Sequence, residues 1–138
     1  MVAEWTSMVV VVLAWGIYPL VIRSTGVSGP VGALVLTASA LVPIGVALFI
    51  QGGLTRPSTA DLWRLVWGGL IMGVGTTAFN FLINSRKVEA SVSIPIVDTG
   101  MLLVTALGAV WFYSEPVTLR KVVGIALLVI GIGVLRPG

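Results

Sequence analysis

The chain has 138 residues, of which 57% are apolar and only 9% are charged, and its mean hydropathy is +1.11. A soluble domain of this size could not carry so few charges without aggregating, so the composition indicates a membrane protein. With no Cys and no His, the sequence lacks disulfides, the ordinary zinc, haem and thiol ligands, and any triad that needs a His base. We therefore expect neither an enzyme nor a bound cofactor or metal.

Nucleic acid is not an expected partner either. Eight basic residues against five acidic ones give a formal charge of +3, but the basic residues are scattered singly or in pairs and form no run.

Five apolar stretches account for nearly the whole chain and are separated by short segments rich in turn-forming residues. None of them alternates apolar and polar residues with period two, so helices are favoured over the strands of a membrane barrel. The prediction is an all-α polytopic transmembrane bundle that forms a single domain over residues 1–138. Its five spans cover residues 5–23, 30–50, 62–83, 88–113 and 119–135.

The first three stretches carry local signals at their ends. Glu4 precedes the first stretch without any Lys or Arg, and no cleavage site follows, so we expect a retained helix and not a secretory signal. Pro43 is expected to interrupt the second helix. In the loop before the third stretch, Ser58, Thr59 and Asp61 are candidate helix caps.

Aromatic and amide side chains in the first and third stretches are candidate pocket residues. Trp15 and Tyr18 lie one turn apart near mid-span and could offer their ring faces to a cation, although core packing explains them equally well. Asn80 and Asn84 share one face of the third helix. We expect Asn80 to reach a cavity and Asn84 to lie at the surface.

Asp98 is the candidate that matters most, because it lies ten residues into the fourth stretch, about 15 Å deep in a hydrocarbon core of about 30 Å. A carboxylate at that depth is costly and usually functional. Pro95 lies one turn before it and frees backbone carbonyls, as in discontinuous transporter helices. Asp98 is thus a candidate to hold either a proton or a cationic substrate. The alternative is a packing role, with Asp98 hydrogen-bonded to Ser93, Thr99 or Asn80.

The basic residues divide equally between the two sides of a five-span protein. The side of the N-terminus holds Arg56, Arg64, Arg120 and Lys121, and the other side holds Arg23, Arg86, Lys87 and Arg136. Orientation normally follows an excess of Lys and Arg in the cytoplasmic loops, so this balance predicts dual topology and an antiparallel homodimer. The alternative is that one orientation prevails and the equality is accidental.

Several short motifs recur in order along the chain: Trp15-Gly16 and Arg23 in the first span, Ala90-Ser91 and Pro95 in the fourth, Ser114-Glu115, and Gly124 and Gly131 in the fifth. In these motifs the sequence resembles the EamA-type members of the drug/metabolite transporter superfamily. Most members of that family carry two inverted five-helix repeats, whereas this chain resembles a single repeat.

The resemblance implies a multi-pass transporter of the cell inner membrane that works as a dimer and exports or exchanges a small metabolite or drug-like solute. The residues themselves, and not the resemblance, make Asp98, Trp15, Tyr18, Asn80 and Pro95 the expected substrate or proton site. Two alternatives remain open: a flippase or facilitator for an amphiphilic lipid-linked substrate, and a non-transporting subunit of a larger membrane assembly.

Overall fold

The computed structural model describes residues 2–52, 56–85 and 87–135, and all regular structure in these ranges is α-helical. This confirms the predicted all-α class. The five helices are α1 (Val2–Thr25), α2 (Pro30–Ile50), α3 (Thr59–Asn84), α4 (Ala90–Tyr113) and α5 (Leu119–Leu135).

Helices α1 to α4 are each long and apolar enough to cross a membrane. Helix α5 has 17 residues and spans about 25 Å, less than the roughly 30 Å of a typical hydrocarbon core. Length and composition therefore support four membrane spans, and the fifth span stays a prediction.

Proline does not break any of these helices. Helix α2 continues through Pro43, so the predicted interruption there is wrong, and α1 and α4 likewise continue through Pro19 and Pro95. A proline removes one backbone hydrogen bond, whereas a break would leave several backbone groups unpaired in lipid. The continuous helix is therefore the less costly arrangement.

Helix α3 begins three residues earlier than the predicted span because Ser58 caps it. The Ser58 hydroxyl oxygen accepts a hydrogen bond from the Asp61 backbone N–H at 3.2 Å and donates one to the Asp61 carboxylate at 2.6 Å. The same carboxylate lies 3.4 Å from the Arg64 guanidinium. An acid in the first turn also interacts favourably with the helix dipole.

We expect Ser58→Ala to lower the free energy of unfolding by about 1 kcal/mol, because it removes the acceptor for a free N–H at the start of the helix. The measurement is denaturant unfolding of the purified protein in micelles. Thr59→Ala is the matched control: it removes the neighbouring hydroxyl, which caps nothing, and should leave the unfolding midpoint unchanged. Equal losses from the two substitutions would contradict a capping role.

The helices group into two compact units, Met1–Arg86 and Lys87–Gly138. In the first unit, α3 packs against both α1 and α2. The second unit is a helical hairpin of α4 and α5, and Lys121 donates to the Glu115 carboxylate at 3.0 Å beside its turn. This grouping does not test whether the chain forms a single domain, which stays a prediction.

Burial in the first unit is concentrated where α1 ends, α2 begins and α3 ends. The described residues buried there are Pro19, Ile22, Gly29, Gly32, Ala33, Asn80 and Ile83. By contrast, every described residue in the ranges 37–52 and 56–72 is exposed, although most are apolar. The first unit is therefore closely packed at one end only, and its exposed apolar side chains suit a lipid environment.

Candidate functional site

Asp98 is the ninth residue of α4, about 12 Å along the helix from Ala90, and it is exposed. Thr99, the next residue, is buried on a face about 100° away. Asp98 therefore lies beside the buried face of α4 and not on it. Its carboxylate accepts no hydrogen bond from Ser93 or Thr99, and over the ranges that the structure describes it enters no salt bridge.

Pro95 lies inside α4, three residues before Asp98. Because proline has no N–H, the carbonyl of Ser91 cannot receive the usual helical bond from position 95. Pro95 thus leaves the Ser91 carbonyl without its usual helical hydrogen bond, while α4 remains continuous. Ser93, between these positions, is buried, and its hydroxyl has no hydrogen-bond partner.

The aromatic candidates lie on α1. The Tyr18 ring is tilted by 38° against the Phe79 ring of α3, with the ring centroids 5.9 Å apart. Trp15, one turn earlier, is 63% exposed. Tyr18 thus contacts α3 while remaining 38% exposed, whereas Trp15 is available to lipid or to a partner. Sequence reasoning missed Phe79, whose only signal is its position beside Asn80.

Four hydroxyl groups within α2 and α3 are satisfied by their own helix. Thr37, Ser39, Thr76 and Thr77 each donate to the carbonyl four residues earlier, at 2.7 to 2.9 Å. Such back-bonding is the usual arrangement for a hydroxyl in lipid. Against this pattern, an unpaired polar group is informative.

Asn80 is the clearest exception in the first unit, where the amide oxygen of Asn84 is also buried without a hydrogen-bond partner. Its side chain is 1% exposed, and both its amide nitrogen and its amide oxygen are buried without a hydrogen-bond partner. The amide packs against Gly32 of α2, where an added Cβ would lie 2.7 Å from the nitrogen and 2.8 Å from the oxygen. Gly32 thus provides the space that the amide occupies.

Asn84, one turn later on α3, has a different role. Its amide nitrogen donates to the carbonyl of Val27 at 3.0 Å and to that of Asn80 at 3.1 Å. The first of these bonds ties the end of α3 to the connection between α1 and α2. The expected surface position for Asn84 holds only in part, because the residue is half-buried in this contact.

The structure distributes the predicted site over both units. Trp15, Tyr18 and Asn80 belong to the first unit, and Pro95 and Asp98 belong to the second. Tyr18 and Asn80 are linked through α3, because Tyr18 contacts the residue next to Asn80. No cluster of three or more His, Cys, Asp or Glu side chains that could hold a metal occurs within residues 2–52, 56–85 and 87–135.

Comparison with known proteins identifies a family to which the chain is similar. The family model described as the EamA-like transporter family matches residues 5–136. This confirms the resemblance seen in the sequence. No curated protein and no solved structure matches the chain.

Proposed function

Because the chain belongs to the EamA-like transporter family, we propose that it moves a small metabolite or drug-like solute across the membrane in exchange for protons carried by Asp98. The observation that carries the proton coupling is the carboxylate itself, which lies within a helix long enough to span the membrane and has no salt bridge in the described chain. An acid retained at such a place usually serves transport.

Exchange follows from the chemistry of one carboxylate. The group can hold a proton or a cationic substrate but not both, so binding one releases the other. If the protonated carboxylate is open to one side of the membrane and the substrate-bound carboxylate to the other, solute movement becomes coupled to proton movement. Pro95 favours local bending next to the acid, and Trp15 offers an exposed ring face to a cation.

The proposed functional oligomer is an antiparallel homodimer of two five-span chains in the cell inner membrane. The equal division of basic residues supports it, because neither orientation is favoured. Two copies inserted oppositely reproduce the inverted symmetry that many transporters carry within one chain.

We expect a C-terminal tag to be found in both compartments in similar amounts. The natural chain has no Cys, so a single cysteine added after Gly138 can be labelled from either side with an impermeant reagent. Lys87→Ala and Arg64→Ala form a matched pair, because each removes one positive charge from a different side. They should shift the C-terminus in opposite directions, outward and inward respectively. A one-sided tag that neither substitution moves would exclude dual topology.

Solute transport distinguishes the proposal from its two alternatives. Purified protein in liposomes is tested with cationic, neutral and anionic solutes against a pH gradient. Uptake that depends on the gradient supports exchange. Uptake that ignores pH supports a facilitator or flippase, and movement only in the presence of a second protein supports a subunit role.

A further inference from the structure

The end of the first unit at which α1, α2 and α3 converge is closely packed yet contains a buried amide that nothing satisfies. We infer that this junction is a gate on the membrane side of the α1–α2 connection. The unpaired Asn80 amide destabilises the closed state of this gate and so makes the gate easier to open. The contacts that define the gate are Asn80 on Gly32, Phe81 on Gly29, and Asn84 to Val27.

The closed state is built from close contacts between α3 and the start of α2. Gly32 lies against the Asn80 amide, and the Phe81 ring lies against Gly29, where an added Cβ would be 2.7 Å from the ring. Ala33 and Ile83 are buried beside them, at 5% and 0% exposure. The Asn80 amide is therefore closed off from water in this state, whereas the Phe81 ring remains 52% exposed.

Two asparagines one turn apart act on this closure in opposite directions. Asn84 stabilises it on balance, because its amide nitrogen donates to the Val27 carbonyl across the junction, although its amide oxygen is buried without a partner. Asn80 opposes it, because closing removes both of its polar atoms from water and supplies no partner for either. Opening the junction would hydrate the Asn80 amide and restore the hydrogen bonds to water that closing removed.

The backbone of the α1–α2 connection is suited to movement. Gly26 and Gly29 both have positive φ, 70° and 76°, and they flank a segment that is outside both helices. A change in the backbone dihedral angles of these few residues can move the start of α2 away from α3 while each helix stays intact, as in other hinges.

The gate serves the transport cycle proposed above, but its opening can be measured without any solute. The probe is a cysteine at the buried position, Ala33→Cys, in a chain that has no other thiol. Its reaction with N-ethylmaleimide in liposomes is compared with that of Ser28→Cys, an exposed position in the connection. We expect the buried thiol to react far more slowly.

The decisive comparison uses one substitution at both asparagines, because leucine matches the branched shape of asparagine without its polar atoms. In the Ala33→Cys chain, Asn80→Leu should slow labelling about tenfold, since it removes the buried unpaired groups. Asn84→Leu should speed labelling by a smaller factor, since it removes the hydrogen bond to Val27 but also removes one unpaired amide oxygen. A cysteine in the other unit, Ala109→Cys, should react at an unchanged rate and so report on general unfolding.

The inference is overturned if Ala33→Cys reacts as fast as Ser28→Cys, or if the two leucine substitutions change its rate in the same direction or not at all. Should Asn80→Leu fail to fold, Gly32→Ala and Gly45→Ala decide the matter. Gly32→Ala adds a methyl group against the Asn80 amide and the Val27 carbonyl and should speed labelling. Gly45→Ala should not, because an added Cβ there would meet nothing within 4 Å over the described ranges. Normal gating without solute transport would reject the proposed function and leave the gate intact.

Discussion

Asp98→Asn is expected to abolish proton-driven solute exchange and reduce it to the rate of protein-free liposomes. Asparagine keeps the shape of the side chain and its hydrogen-bonding capacity but cannot gain or lose a proton. Because no salt bridge holds Asp98 in the described chain, this loss would come from the missing titration and not from a broken structural contact. The measurement is substrate uptake against an imposed pH gradient, with internal pH followed in parallel.

Glu115→Gln is the matched control, because it also replaces one carboxylate by an amide. Glu115 lies just after α4, about half exposed and paired with Lys121 at 3.0 Å. Exposed ion pairs contribute little, so exchange should stay within about twofold of the unaltered chain. Asp98→Glu retains a titrating group and should retain coupling. Unchanged exchange in Asp98→Asn would remove the proton-coupled mechanism and favour a facilitator.

Gly29→Ala is expected to destabilise the protein by about 3 kcal/mol, the largest structural effect that we expect from a single methyl group. Gly29 has φ 76° and ψ −150°, a conformation that is essentially restricted to glycine. A Cβ there would also lie 2.7 Å from the Phe81 ring, so either the ring or the start of α2 must move. Unfolding in micelles, followed by circular dichroism, measures the loss.

Gly52→Ala separates the two causes of this loss of stability, the backbone strain and the clash with Phe81. Gly52 has nearly the same φ, 79°, but an added Cβ would meet nothing within 4 Å in the described part of the chain. It should cost about 1–2 kcal/mol, the strain of a left-handed residue alone. Phe81→Leu combined with Gly29→Ala should recover part of the difference. If the two alanine substitutions cost the same, the contact between Gly29 and Phe81 does not contribute to stability.

Composition and local signals were enough to predict the class of protein and the approximate extent of its helices. Low charge and long apolar stretches indicated membrane helices because lipid leaves the backbone few other ways to pair its polar groups. Ser58 was recognised as a candidate cap because capping depends on residues three positions apart. Pro43 misled the prediction, because the penalty for breaking a helix in lipid exceeds that of one missing bond.

The roles of the two asparagines could not be predicted in the same way. Spacing placed Asn80 and Asn84 on one face of α3, yet one is enclosed against Gly32 and the other bonds Val27, which lies 57 positions away in the chain. In a soluble helix, the apolar stripe shows which face is buried. In these helices nearly every face is apolar, so periodicity does not reveal which side chains meet.

The sequence alone therefore determined that the chain is helical, crosses the membrane and carries one costly acid at Asp98. Only the tertiary structure decided which end of the first unit is packed, and that Asn80 is buried there without a partner. The physical reason is that helix formation depends on near neighbours in the chain, whereas closure of the junction depends on how α1, α2 and α3 are rotated against one another.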